Sequence, residues 1–548
     1  MHKYLLVGVF LIALCLRVID LPHHPAGFTP DEASFGYDAY SLLQTGKDQW
    51  GTVYPMVFKS FGDYKMPLYT YLAMPSVALF GLTPFATRLP SAIIGAFAVL
   101  VVYFLIREIP FEISKNRKNV ALLGSLFLAL SPWHLPLSRG AFEANLTVLF
   151  LPLGILLFLK GIKRPWFLVF SAVVFGINLF TYHSARLITP LVGLFLLWEY
   201  RAQLKPHMKK TPLVLAAIVS VIVFIVSIYS FKVGAGVRLT NSSIFALGSQ
   251  AGDERYLYIQ YGMPTALGYF FYNKYLFVIE RFFSNYLSYF SPQFLFTQGP
   301  IEGTYGMMNG LGVIYVFDAI FIIAFIVWYI RSHRRPTWLF FWLFVAPIPA
   351  ALSIGTGAAA NRAAVILPAI QICAAFGAAY FLHYFYKYFT KKQVIGGFLV
   401  LQFFASFSFF IHYWYVQPIK EARAMIYGQE ELYSKINQYA NGRPVIISKK
   451  ISEPHIFAAF YNKIDPTEYQ KASAQWSFEG TDFTWVDQLP VYKLNKFTFK
   501  TIDWVADLDR ASTLVVGLPN EFPPSTKADF VVFSTAGDKA YIGVSSIH

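Results

Sequence analysis

The stretch AIIGAFAVLVVYFLI, residues 92–106, carries no charged side chain. With its flanks it approaches the roughly 20 apolar residues that carry a helix across a bilayer. VLAAIVSVIVFIVSIY (214–229) and VIYVFDAIFIIAFIVWYI (313–330) repeat the pattern, and similar runs recur through the first three quarters of the chain. The 548 residues are 56% apolar and 14% charged, with a mean hydropathy of +0.48. No soluble core needs so many apolar runs, so the chain reads as an integral membrane protein. The first run, YLLVGVFLIALCLRVIDLP (4–22), lacks a small-x-small cleavage site and leads straight into an acidic segment, which marks a retained helix and not a secretion signal.

Forty-five Lys and Arg against 30 Asp and Glu leave a net charge of +15. These cations sit in short clusters between apolar spans and form no continuous stripe, so topology explains them and nucleic acid is not an expected partner. The two cysteines, Cys15 and Cys373, both fall in apolar segments, which excludes a disulfide framework and a thiolate metal site.

The clusters at 107–118, 160–165, 199–210, 331–336 and 387–392 go to the cytoplasm by the positive-inside rule. One threading satisfies them all. Spans lie near 4–20, 89–106, 119–136, 145–160, 166–181, 187–198, 212–230, 311–330, 337–353, 363–385 and 393–413. The expected fold class is therefore an α-helical polytopic membrane protein with about eleven transmembrane helices. Residues 1–415 form the membrane domain, with long outer loops at 21–88 and 231–310. The aromatic stretch YLYIQYGMPTALGYFFYNKYLF suits the membrane interface. From about residue 420 the pattern changes. EARAMIYGQEELYSKINQYANG reads as a helix closed by Gly442, while PVIIS, STLVVGLP, DFVVFST and AYIGVS read as short strands. Residues 416–548 are thus expected to form a small extracytoplasmic α/β domain.

Ionisable side chains near membrane depth are costly and mark candidate functional groups. Five places qualify. Asp31 and Glu32 follow Pro30 in FTPDEASFGYDAY (28–40); they suit proton transfer, or they simply favour the positive end of a helix. Lys65 precedes an aromatic stretch from Pro67 to Phe80 and could equally snorkel to headgroups. Arg139 and Glu143 share a very short outer loop, where a plain salt bridge is the alternative. Tyr182, His183 and Arg186 lie at an outer helix boundary. His183 there suits an interfacial hydrogen bond as well as a ligand or base, whereas a guanidinium suits phosphate. Arg362 starts a span, where an interfacial anchor is the other reading. Acids that take protons and cations that hold phosphate, gathered on one face, point to group transfer from a phosphorylated lipid. Asp318 is the only acid well inside an expected span, which weakens a transporter reading.

The order TPDEASFGYDAY, DYKMPLYTYL, GLTPFATRLPSAIIGAFAVLVVYFLIRE, SRGAFEANL, TYHSARLITPL and NRAAVILPAI resembles the bacterial branch of the protein O-mannosyltransferase and aminoarabinose transferase superfamily. These are membrane glycosyltransferases of the C fold. The likeness is strongest over residues 1–200 and loose in the tail. The Lys-Pro-Pro-Leu of many relatives stands here as Lys65-Met66-Pro67-Leu68. The resemblance implies a polyprenyl-phosphate-linked sugar donor, a hydroxyl acceptor on protein, lipid or glycan, an outward-facing site in the cytoplasmic membrane, and inversion at the anomeric carbon. It implies Asp31 as general base, Glu32 as a positioning group, and Glu143 as a group that orients the sugar or, with Asp31, holds a divalent cation (Mg2+, Mn2+ or Zn2+). Lys65, Arg139, Arg186 and Arg362 are implied at the donor phosphate, with Tyr182 and His183 at the substrate. A flippase or transporter for lipid-linked sugar is the alternative, and the oligosaccharyltransferase relatives rank lower because no WWDYG-like signature occurs.

Overall fold

The computed structural model describes every residue except 1, 110–116, 208–209, 236–242, 333–335, 356, 387, 479–484, 504–505, 508–512 and 546–548. Parts of the basic clusters used to set the topology lie outside the described residues. All the expected apolar runs contain helix. Among the described residues, five helices are long and apolar enough to cross a membrane: Pro84–Glu108, Ala144–Lys163, Thr211–Gly234, Ala364–Phe385 and Lys391–Lys420. Trp166–Asn178 and Thr337–Ala351 are shorter apolar helices.

Four early helices position the site: α1 (His2–Val18), α2 (Pro30–Thr45), α3 (Pro67–Phe80) and α4 (Pro84–Glu108). Proline opens each of the last three at a position where its missing N–H costs nothing. Thr29 caps α2 in a capping box with Glu32, and Gly46 closes it in the left-handed conformation. Along α3 the buried residues Tyr69, Thr70, Ala73, Ser76 and Val77 recur at helical spacing, so one face packs inward. Lipid is as apolar as the side chains, so close backbone approach, not burial from water, holds the spans together. Gly377 is such a point, since a Cβ there would lie 1.7 Å from the carbonyl oxygen of Phe321 on the neighbouring helix.

Two expectations need correction. The run 311–330 is helical only from Asp318 to Arg331, so Asp318 sits in a first turn, at the positive end of the helix, and not at mid-span. The helix expected from residue 421 begins at Gln429, because Ile426 and Gly428 take positive φ values of 52° and 93° that break it. The loop 231–310 does contain helices, Gln250–Gln260, Thr265–Phe271 and Lys274–Ser288, which leave Tyr256, Tyr261, Phe270 and Tyr275 exposed.

A short hairpin, β1 (Phe58–Lys59) and β2 (Tyr64–Lys65), precedes α3. The C-terminal region holds β3 (Val445–Ser448), β4 (Val491–Leu494), β5 (Phe497–Lys500), β6 (Leu514–Gly517), β7 (Phe530–Phe533) and β8 (Lys539–Ser545). They form one sheet in the order β4-β5-β3-β6-β8-β7, with β3 parallel to both neighbours. VIIS and LVVG are buried throughout, as central parallel strands covered on both faces require, whereas the edge strand β4 alternates exposed and buried. The β4–β5 hairpin turns at Asn495, whose φ is 53°, and was not anticipated from the sequence.

This sheet domain shares its core with α2. Phe28, Ala33 and Tyr37 join Ile436, Val445, Phe457 and Phe460 in one cluster, and the Tyr37 hydroxyl donates to Ile464 O at 2.8 Å. The opposite face of α2 packs on α3 and α4, so α2 is a wall common to both units.

Candidate active site

Neighbouring residues on a helix point about 100° apart, and α2 uses this to send its two acids in different directions. Glu32 is fully buried. Its carboxylate takes Arg88 Nε at 2.8 Å, the backbone N–H of Ala141 at 2.9 Å and that of Thr29 at 3.0 Å. Arg88, absent from the sequence-based candidates, also donates to the carbonyls of Leu21, Pro22, Pro25 and Gly27. Arg139 completes the brace: it is fully buried and donates to Leu16, Ile19, Asp20 and His24 carbonyls and to the Tyr413 hydroxyl. Two guanidinium forks thus satisfy the end of α1 and the turn leading into α2. The structure places Glu32 and Arg139 in this brace, behind the cavity lining.

Asp31 faces the other way. Its side chain is 40% exposed, and Lys65 Nζ lies 2.9 Å from its carboxylate. The lysine does not snorkel: it is 5% exposed and its ammonium is flanked by the rings of Phe35 at 4.8 Å and Phe61 at 4.9 Å. Both line a pocket whose walls also include Asp63, Glu143, Tyr182, Tyr305 and Asn361. That mix of polar and aromatic walls suits a small polar group. Glu143, at the N-terminal end of helix Ala144–Lys163, accepts the Met66 N–H at 3.2 Å through Oε2, which ties the loop before that helix to the lysine segment.

The remaining candidates border the cavity. His183 Nε2 bonds Tyr64 O at 2.9 Å and so holds β2, the strand that carries Lys65. Arg186 donates to Leu179 O and Ser230 Oγ, keeps Nη1 buried without a partner, and feels the charge of Glu143. Arg362 lies 3.9 Å from Glu302 and donates to Ile354 O. Its neighbour Asn361 lines the cavity instead, with a buried Oδ1 that has no partner. Sequence reasoning missed Asn361, Tyr305 and Asp63; the first lay beside a named arginine, Asp63 stood two residues before Lys65, and Tyr305 carried no local pattern. The structure therefore brings Asp31, Lys65, Glu143 and Tyr182 to one cavity and sets His183, Arg186 and Arg362 around it.

The divalent ion implied at Asp31 and Glu143 meets a competitor. The Lys65 ammonium already occupies the Asp31 carboxylate, and Glu143 holds a backbone N–H.

Over residues 64–229 the chain matches the family model described as dolichyl-phosphate-mannose-protein mannosyltransferase. The structure is similar to that of ArnT from Cupriavidus metallidurans bound to undecaprenyl phosphate, with a TM-score of 0.55 at 12% identity over 98% of this chain and 97% of that one. The chain has the C fold of membrane glycosyltransferases. The family match and this likeness agree with the superfamily resemblance carried by the sequence motifs. A weaker likeness, TM-score 0.48 at 15% identity over 84% of this chain and 63% of the other, is to the oligosaccharyltransferase AglB from Archaeoglobus fulgidus in complex with an inhibitory peptide and a dolichol-phosphate. No curated protein matches by sequence.

Proposed function

We propose that this C-fold protein transfers a sugar from a polyprenyl-phosphate-linked donor to a hydroxyl acceptor, with inversion, at the outer face of the cytoplasmic membrane. The single observation that carries this reading is the Asp31–Lys65 pair, open on one side to a pocket with polar and aromatic walls and fixed on the other by a buried brace. A hydroxyl is a poor nucleophile, so a carboxylate within about 3 Å must accept its proton as the new bond forms. Asp31 is that base. The acceptor oxygen bonds to the anomeric carbon, the bond from that carbon to the phosphate oxygen breaks, the acceptor proton passes to the Asp31 carboxylate, and polyprenyl phosphate departs with the bonding pair.

The departing phosphate gains negative charge close to hydrocarbon, where an unpaired charge is expensive. Lys65 answers this need. When Asp31 takes the proton it no longer neutralises the ammonium, so Lys65 becomes free to face the phosphate at the moment charge appears there. Arg186, with one buried nitrogen unsatisfied, is the second cation for the donor phosphate, and Arg362 stands as a third at the rim. Glu143, Tyr182 and Asn361 orient the sugar. His183 acts by holding the lysine strand.

A carrier for lipid-linked sugar would line a path between the spans with charge. A second cavity lies there, and Asp318 is the one charged side chain in its lining, among Phe127, Ser131, Tyr315 and Gln371. The test is direct: purified protein given a sugar-phosphate polyprenol and a hydroxyl acceptor in detergent releases free polyprenyl phosphate if it is a transferase. A donor recovered intact under conditions where it binds sinks the proposal and favours the carrier.

A further inference from the structure

The sheet domain carries a cluster that the transfer reading does not use. Glu453, His455 and Asp487 each present one donor atom, and these atoms all lie within 4.8 Å of one another. Glu453 is 5% exposed and His455 fully buried. Glu453 Oε2 is buried and accepts no hydrogen bond, yet it points into the cluster, 4.0 Å from His455 Nδ1. Asp487 is held from behind, one oxygen by the Glu453 N–H at 2.8 Å and the other by the Tyr492 hydroxyl. The same hydroxyl lies 3.3 Å from His455 Nδ1. Two ammonium groups lie close enough to act on the pair by charge, Lys65 on Glu453 and Lys449 on Asp487, but their own hydrogen bonds go elsewhere, to Asp31 and to Leu489 O.

We propose that Glu453, His455 and Asp487 bind a divalent transition-metal ion of the Zn2+ class. One imidazole nitrogen and two carboxylates form the mixed donor set that such ions accept, whereas Mg2+ and Ca2+ prefer oxygen alone. Tetrahedral bonds of about 2.1 Å place donors about 3.4 Å apart, so the 4.0 Å between Glu453 and His455 closes with a small side-chain movement. The Tyr492 contact to Asp487 supplies the outer partner that orients a ligating carboxylate.

The location gives the ion a task that does not depend on the transfer reading. His455 stands edge-on to Phe61 at 5.5 Å, and the Phe61 carbonyl accepts the N–H of Val486, next to Asp487. A bound ion therefore orders the face of the sheet domain that Phe61, between β1 and β2, packs against. Lys65 rests on the same Phe61 ring.

The test uses the full-length protein in detergent. After exhaustive chelation, ZnCl2 is titrated against a chromogenic competitor, and melting is followed in parallel. One equivalent of Zn2+ binds and raises the melting temperature, while MgCl2 does neither. Glu453→Gln, which keeps shape, and Asp487→Asn weaken binding by more than the roughly 10–100-fold typical of outer-shell changes. Should a variant fail to fold, the wild-type titration decides alone. Wild-type protein that takes up no stoichiometric Zn2+, responds equally to Mg2+, or binds as well after Glu453→Gln contradicts the assignment.

Discussion

The two sides of α2 are built from the same residue types to opposite ends. On the sealed side, Glu32 and Arg88 are both fully buried, and apart from the Thr29 hydroxyl the groups hydrogen-bonded to the pair are backbone N–H groups and carbonyls. On the cavity side, Asp31 and Lys65 make an ion pair of nearly the same length, 2.9 Å against 2.8 Å, but Asp31 keeps 40% of its surface open. Length does not distinguish a structural ion pair from a reactive one; access does. The sealed pair spends all its hydrogen-bonding capacity on holding the chain, and the open pair retains lone pairs that a substrate can reach.

This contrast can be broken from either side. Arg88→Ala leaves Glu32 as an uncompensated buried charge and frees four carbonyls, which is expected to cost about 3–5 kcal/mol. A large fall in melting temperature in detergent is the expected reading, with Arg88→Lys failing to restore it because an ammonium cannot copy the fork. A melting temperature within experimental error of wild type would remove the brace from the account. Lys65→Met should do the reverse: it leaves the fold standing and lowers transfer by roughly 10²–10³-fold, the usual cost of a lost charge stabiliser. A variant that unfolds but transfers normally per folded molecule would place Lys65 with the structural pair.

Arg186→Ala sharpens the comparison at the rim. Weakening of donor binding by about tenfold, or about 1.4 kcal/mol, is expected, measured as the affinity for a polyprenyl-phosphate sugar. Unchanged affinity refutes its phosphate role. A further test is Asp38, further along α2. Burial and the nearby Asp48 push its carboxyl up to about 8. The folded protein therefore keeps a proton that the unfolded chain releases above about pH 3.9, so this contribution to stability is complete in acid and is lost as pH rises towards 8. Asp38→Asn retains the shape that receives the Gln49 N–H and should flatten that fall, read as a melting temperature above that of wild type at pH 8. A pH profile that still falls as in wild type would show that another group controls it.

Much of the fold was legible because apolar runs, Pro at helix starts and β-branched strand segments are local signals. The region 421–428 differs because helix-favouring composition runs through Ile426 and Gly428, whose positive φ values break the helix, and 311–317 is as apolar as a span without being helical. The site was legible in part. Asp31, Lys65, Glu143 and Tyr182 were each visible as polar residues in outer segments, and they meet in one cavity. Glu32 and Arg139 carried the same visible signal, but their partners are largely backbone groups distant in sequence, which no residue pattern announces. Arg88 stands one residue before the run 89–106 expected to span the membrane, and was not among the candidates. The shared core of α2 and the sheet domain, and the cluster at Glu453, arise only from tertiary packing.

The central claim is that Asp31 takes the acceptor proton while its neighbour Glu32 holds the wall. The most direct measurement is single-turnover release of polyprenyl phosphate from a bound lipid-linked sugar, comparing wild type with Asp31→Asn at matched donor occupancy. The account predicts release slowed by about 10²–10⁴-fold with donor affinity and melting temperature unchanged. Release at the wild-type rate by a folded, donor-loaded Asp31→Asn protein would contradict it.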